Sequence, residues 1–570
     1  MANSLFTFEP FDFGASPDVH DSFQGFYSEK NNRFLEAGDW ELLNDLCYDS
    51  GIDENALQKR IPTSQYDQQQ KPLFSKPDGL FLPCKEPLYL DSAMFKPEVV
   101  ETVKEKPHPS SLIAAQELSN YYRSGVKKMK REELVEHGRE EAVACLNSRR
   151  FSTEEVIRVA GAKYIQFSTQ RREEYFMFKL PFDPTLSVLT VEESNEVELA
   201  HLLLASAEKV GLQQFDQAIK LLAQCDFLSS RTGTPVQRVV YHFAAALRER
   251  INRQTGRIRP KELQKVFDVE EAMMTPQPTL VSLQQILPFA NVTQFAGIQA
   301  IVENAGSARK VHLIDLGVKS GTPWTVLMQA FASRHGSLLD LLKITFVGTK
   351  CREKIEDTAK RLASFAQSMG LPFSFNIVML SDMNDLREDL FDIKSDEFLA
   401  IYAHLVLRNM LYQPDRLETL MTVIRKLKPC IMVVAEVEAN HNSPSFVNRF
   451  IESLFFYGTF FDCLEACMDR ANHDRMVAEA IYLGEGIRNT VIFEGHERTV
   501  RNVGIDVWRA FFARFGLVET ELSESSLYQA SLVLKQFPIR RFCTLEMNGK
   551  CLLAGWKGTP IHSLSVWKFQ

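Results

Sequence analysis

Val311, Leu313, Ile314 and Leu316 form a short apolar run that ends at a turn carrying Gly317 and Gly321. Such a run, bounded by turn residues, is the pattern of a strand buried on both faces of a parallel sheet. Trp324 to Ala332 continues with helical spacing, and the alternation then repeats down the chain. Strands are predicted at Ile344 to Val347, Phe375 to Leu380, Phe398 to Tyr402 and Cys430 to Val437. Helices are predicted over Ile355 to Met369 and through Leu405, Leu407, Leu411 and Leu417. Strand and helix in strict succession, with short connections, predict a doubly wound and mainly parallel sheet. The end of the chain departs from this rhythm. Tyr528 to Leu534 reads as a strand, and Phe542 to Trp556 as a hairpin turning at Asn548-Gly549.

The fold class expected is therefore α/β: a Rossmann-like, methyltransferase-like sheet closed by an antiparallel C-terminal hairpin. Ahead of it, residues 190–290 read as a mostly helical cap. Thr190-x-x-Glu193 is a capping box, and Leu199, Leu202, Leu203 and Val210 form one apolar stripe. Phe215, Ala218, Ile219 and Leu222 repeat the spacing. Thr234-Pro235 opens a third helix, with Val236, Val239, Val240, Phe243 and Leu247 on one face. Residues 291–570 hold the sheet core.

The first 110 residues are of another kind. They hold ten Lys/Arg against nineteen Asp/Glu, which leaves 55 against 54 for the remainder of the 570-residue chain. Aromatics interleave with these acids, and Trp40, Leu43 and Leu46 sit three apart among carboxylates. Acidic and hydrophobic alternation is the composition of disordered activation segments that fold on a coactivator, or of a tail whose helix docks on its own domain. Residues 111–189 read as a linker with short helices, one of them opened by the capping box Ser152-x-x-Glu155. This linker carries the basic cluster Lys127, Lys128, Lys130 and Arg131, which fits a nuclear-import signal and fits equally the solvated face of a helix.

The glycine turn is the candidate for chemistry. A dinucleotide fingerprint places a middle glycine where Lys319 stands. The acidic partner expected at the end of the next strand is missing, because Gly348, Thr349, Lys350 and Cys351 follow Val347. Asp315 has a structural reading instead: it holds the turn by accepting its amides. No cofactor and no catalytic or metal-binding residue is expected. The ten cysteines include no C-x-x-C pair, and Cys463-x-x-x-Cys467 reads as core packing. No apolar run approaches the roughly 18 residues that span a bilayer, and the acidic N-terminus is unlike a secretory signal, so neither a membrane nor export is expected.

Several ordered blocks carry a family resemblance. Val311, His312, Leu313, Ile314 and Asp315 spell VHLID, followed by Gly321 and Trp324. LAHLLLASAEKV at Leu199–Val210 and the leucine-rich stretch Leu405–Leu427 flank that signature, and AGWKGTPIHSLSVWKF closes the chain at Ala554–Phe569. Over about residues 190–570 the chain resembles the GRAS domain of plant transcriptional regulators. LFDIKSDE at Leu390–Glu397 lacks the proline and tyrosine of that family's PFYRE segment, and the tail lacks DELLA-type receptor motifs.

The resemblance implies a nuclear regulator acting through protein contacts. Its partners would be other GRAS proteins, as homo- or heterodimers, DNA-bound factors such as Cys2His2 zinc-finger proteins, and coregulators. DNA would be touched indirectly or weakly. Trp556, Lys557 and Trp567 are the candidate partner surface, since tryptophan is enriched at binding hot spots; the other reading packs both indoles against the sheet edge. Two alternatives stand beside the regulator: an S-adenosylmethionine-dependent methyltransferase, and a direct sequence-specific DNA binder. The second lacks the basic excess such binders use, with a balance of +1 outside the tail.

Overall fold

The computed structural model describes residues 151–170, 189–257, 272, 274, 278–334 and 339–570. Four helices lead: α1 (Thr153–Gln170), α2 (Val191–Gly211), α3 (Phe215–Leu228) and α4 (Pro235–Gln254). Three of them start on reciprocal caps. Ser152 and Glu155 exchange bonds at 2.6 and 3.3 Å, and Thr190 pairs in the same way with Glu193, and Thr234 with Gln237. Each exchange satisfies amides that a helix N-terminus otherwise leaves open. Short α5 (Pro278–Ile286) and α6 (Phe289–Ala305) lead into β1 (Lys310–Asp315).

From there the succession is α7 (Thr322–Ala332), β2 (Leu341–Gly348), α8 (Arg352–Ser368), β3 (Phe373–Met379), β4 (Phe398–His404), α9 (Pro414–Leu427) and β5 (Ile431–Val437). A second helical stretch follows: α10 (Phe446–Cys467), α11 (His473–Val477), a π-helical turn at Ala478–Leu483 and α12 (Gly484–Val491). The chain ends with α13 (Ile505–Ala513), β6 (Leu517–Thr520), α14 (Glu524–Lys535), β7 (Cys543–Asn548), β8 (Cys551–Trp556) and β9 (Thr559–Phe569).

One sheet runs in the order β3-β2-β1-β4-β5-β9-β8-β7, with β6 also paired to β9. The first five strands are parallel, and β9 enters antiparallel to β5, Val433 opposite Val566. The mixed sheet closed by an antiparallel finish is as the sequence pattern predicts. One apolar core joins Ile314, Ile401, Met432 and Val434 to α9 and α13 through Leu420, Met421, Trp508 and Phe512. A second holds the cap together, and it includes Val156, Ile157 and Ala160 of α1 with Phe450, Leu454 and Phe461 of α10. The helical region of the described residues thus begins at Thr153, inside the stretch 111–189 read as linker, and it is completed from far down the chain.

Three local expectations are corrected. Tyr528 to Leu534 is not a strand but lies within α14: Ser523 accepts the Ser526 amide at 3.0 Å, and the small buried residues Ser526 and Ala530 share one face. The capped start and that i, i+4 spacing outweigh the strand propensity of the aromatic and branched residues. The leucine-rich helix starts at Pro414 rather than Leu405, since Leu405 has φ +55° and Leu407–Asn409 form a 3₁₀ turn. The hairpin pairs Asn548 with Cys551, so its turn is Gly549-Lys550, with Gly549 at φ +58°. Positive φ at the first central position is what a type II′ turn asks of glycine. Cys543 lies opposite Trp556 and Cys551 opposite Asn548, so the two cysteines do not face each other, as expected.

The early and late helices of the cap are tied together by buried charge. Arg238 of α4 bonds Glu479 at 3.0 Å and Glu465 at 3.0 Å, and Arg475 closes the ring onto the same carboxylates at 3.1 and 2.9 Å. Both arginines and Glu479 are buried. Glu479→Gln would leave two buried guanidinium groups sharing the half-exposed Glu465. Such a loss costs about 3–5 kcal/mol, and a drop of that size in stability from denaturant titration is expected. An unchanged midpoint would mean the ring contributes nothing.

Candidate functional site

The turn after β1 lies where the strand order reverses between β1 and β4, the place at which open α/β sheets bind ligands. Asp315 is the last residue of β1 and is buried. Its Oδ1 accepts the Gly317 amide at 3.0 Å, and its Oδ2 accepts the indole N–H of Trp324 at 2.9 Å. Trp324 stands edge-on to Tyr402 of β4, with ring centroids 4.9 Å apart. Leu316 N donates to Tyr402 O at 3.0 Å, carrying the ladder one residue beyond β1. Both carboxylate oxygens therefore serve the turn itself.

The glycines serve packing. Gly321 caps α7 with φ +77°, and a Cβ there would lie 2.7 Å from the methyl of Thr358. A Cβ on Gly317 would approach Val406 at 3.1 Å, and one on Gly348, at the end of β2, would meet Ile355 at 2.4 Å. Close packing by α8 and by the segment after β4 thus leaves room only for glycine at these positions.

His312 is fully buried between Glu397, 3.1 Å from Nδ1, and Thr345, 2.8 Å from Nε2. Burial, with Lys343 nearby, lowers its pKa to about 4, so the ring is neutral and acts as a polar clamp between β1, β2 and the segment before β4. Burial raises the Asp315 carboxyl to about 6, against the opposing pull of the Gly317 amide, the Trp324 indole and Lys319. Among the described residues no group of three or more His, Cys, Asp or Glu is placed to hold a metal. No helix among them is long and apolar enough to cross a membrane.

A family model of the GRAS domain matches residues 199–568. This chain belongs to the GRAS domain family. DELLA protein RGL1 of Arabidopsis thaliana is 30% identical over 403 residues, covering 70% of this chain and 76% of its own length. DELLA protein RGL3 of Arabidopsis thaliana is 32% identical over 388 residues, 68% of this chain and 72% of its own. The crystal structure of SCL7 in Oryza sativa matches with a TM-score of 0.58 at 25% identity, covering 65% of this chain and 99% of that one. The GRAS family is one of plant transcriptional regulators.

Within this GRAS domain the VHLID residues sit together: Val311, Leu313 and Ile314 in the core of the sheet, His312 and Asp315 buried, Gly321 and Trp324 at the head of α7. The C-terminal tryptophans differ from the surface reading. Trp556 and Trp567 are 1% and 2% exposed. Trp556 donates to Asp462 of α10 at 2.7 Å, and Trp567 donates to Ser565 at 2.9 Å and packs on Phe512 with ring centroids 4.8 Å apart. Once each indole N–H has an internal partner, the whole ring can be buried. Lys557 keeps partial exposure while pairing with Asp462 at 2.7 Å, so Trp556 and Lys557 form a joint between the hairpin and α10. Trp40, Leu43 and Leu46, and the basic residues Lys127, Lys128, Lys130 and Arg131, lie outside the described residues. Sequence reasoning missed the buried Arg238, Arg475 and Glu479 ring, because Arg238 lies more than 200 positions from the other two and nothing local marks their meeting.

The raised Asp315 pKa sets the sign of a pH effect. Near 3.8 in the unfolded chain and about 6 in the folded one, this carboxyl favours folding most below pH 4 and loses that contribution as pH rises through 6. The span corresponds to about 3 kcal/mol. Asp315→Asn removes the titration but turns its amide NH2 toward one of the two donors, so it is destabilised throughout. The stability gap to wild type should narrow as pH rises from 4 to 7, read from melting curves. A gap independent of pH would show that Asp315 does not titrate in this way.

Proposed function

We propose that this GRAS protein is a nuclear transcriptional regulator whose Rossmann-like domain works through protein contacts rather than catalysis. The observation that carries the reading is the closed turn after β1, where Gly317 and Trp324 take both oxygens of Asp315. An S-adenosylmethionine site needs an acid at the end of β2 and space at the glycine turn. Here Gly348-Thr349-Lys350-Cys351 offers no carboxylate, and both oxygens of Asp315 are taken within the turn. The residues present do not fit that cofactor.

Other GRAS proteins, DNA-bound factors such as Cys2His2 zinc-finger proteins, and coregulators are the partners this reading calls for. The acidic segment with Trp40, Leu43 and Leu46 would recruit coregulators, and Lys127, Lys128, Lys130 and Arg131 would direct import. Direct DNA contact is secondary, because the charge outside the tail is close to neutral and phosphate binding needs a basic excess.

Two measurements test the proposal. Residues 1–60 fused to a heterologous DNA-binding domain should activate a reporter, and Trp40→Ala with Leu43→Ala should weaken it several-fold. A silent fusion would remove the coactivator role. Calorimetric titration with S-adenosylmethionine should give no heat, whereas saturable binding would restore the methyltransferase alternative.

A further inference from the structure

Away from the glycine turn, arginines gather where α4, α10 and the segment after α12 meet. Arg449 of α10 is fully buried, and its Nε donates to Thr490 O at 3.0 Å, its Nη1 to Ser443 O at 2.9 Å and its Nη2 to Glu494 Oε1 at 2.5 Å. Arg250 of α4 reaches the same oxygen at 2.8 Å, with its guanidinium 4.0 Å over the Phe446 ring. Arg498 is 4% exposed; its Nη1 donates to His441 O at 3.0 Å and its Nη2 to Asn442 Oδ1 at 3.1 Å, while its buried Nε has no partner among the described residues. Arg501 is half-buried and donates to Arg498 O at 3.4 Å and Gly495 O at 2.7 Å.

The charges do not balance. Among the described residues, Arg498 feels Arg449 and Arg501 against a single carboxylate, Glu494, and Arg501 feels Arg449 against that same carboxylate. Glu494 already serves Arg250 and Arg449, and its side chain is 47% exposed. Four guanidinium groups thus face one acid that is half in water. Burying guanidinium without a counter-ion is unfavourable, and burial with the neighbouring arginines lowers Arg498 to about 9. His441 adds no charge, since burial beside Arg498 and Arg449 lowers it to about 3. The guanidinium planes of Arg498 and Arg501 are held by carbonyl and amide oxygens, which fixes them before any ligand arrives.

We propose that this arginine cluster is an oxyanion site that takes a phosphate group on Arg501, in the field of Arg498 and Arg449. Planar guanidinium forks match phosphate oxygens in pairs, and a dianion supplies the missing countercharge. Arg501 is the entry because it is the more exposed of the two arginines that lack a carboxylate. The phosphate is carried either by a free small molecule or by a phosphorylated side chain, since both present the same terminal oxygens. The site is independent of the closed turn after β1, so it stands or falls separately from the regulator reading.

The test uses the full chain and thermal unfolding in sodium phosphate against sodium chloride of equal ionic strength. Phosphate should raise the melting temperature saturably, and Arg501→Gln, which melts like wild type in chloride, should weaken the apparent affinity about tenfold. Phosphate also strengthens folding generally by exclusion from protein surfaces, so the difference between wild type and variant is the deciding readout. Glu494→Gln should melt lower in chloride and recover more in phosphate than wild type does, because the anion replaces the lost carboxylate. N-acetyl-O-phosphoserine amide assigns the carrier: tighter binding than inorganic phosphate indicates a phosphorylated side chain, and binding of inorganic phosphate alone indicates a free small molecule. The same phosphate response in wild type and Arg501→Gln would overturn the proposal.

Discussion

The bond from the Trp324 indole to the Asp315 carboxylate governs how the domain uses its sheet. A parallel sheet covered by helices presents its strand ends and helix N-termini at one edge, and that edge is where ligands enter such folds. Here the edge is closed from inside. Trp324 at the head of α7 satisfies the acid at the end of β1, and its ring rests on Tyr402 of the adjoining strand. The turn is held by its own side chains.

With that edge closed, the polar interest of the molecule moves to the joints between helices and sheet. Asp462 of α10 receives Trp556 and Lys557 from the end of β8 and also the Thr153 amide at the start of α1. Arg238, Arg475, Glu465 and Glu479 lock α4 to the α10–α12 stretch. The arginines around Glu494 lie at a third joint and differ in lacking enough acid to balance them. Buried charges that close on one another join elements, and removing one partner leaves the other uncompensated.

Most strands, the capped helices α2 and α4 and the signature turn were legible in the sequence, because each rests on short-range chemistry. Caps act over three residues, and a strand buried on both faces shows as a continuous apolar run. The misreadings share a cause. Tyr528–Leu534 carries strand-forming residues, yet α14 forms because Ser526 and Ala530 present a small face for packing. Trp556 and Trp567 are a different case, open in the sequence to an exposed or a buried reading until Asp462 and Ser565 appear beside their indole nitrogens.

By itself the sequence determined the class of fold, the alternation of strand and helix from β1 to β5, the acidic character of the tail and the absence of a carboxylate after β2. These depend on residue type and local spacing, which a linear chain displays. Only the tertiary structure decided that α10 completes the helical cap, that the C-terminal tryptophans are buried, and that Arg250 and Arg449 share one acid, Glu494. Contacts across tens to hundreds of residues follow from how surfaces pack, and packing leaves no periodic trace in the chain.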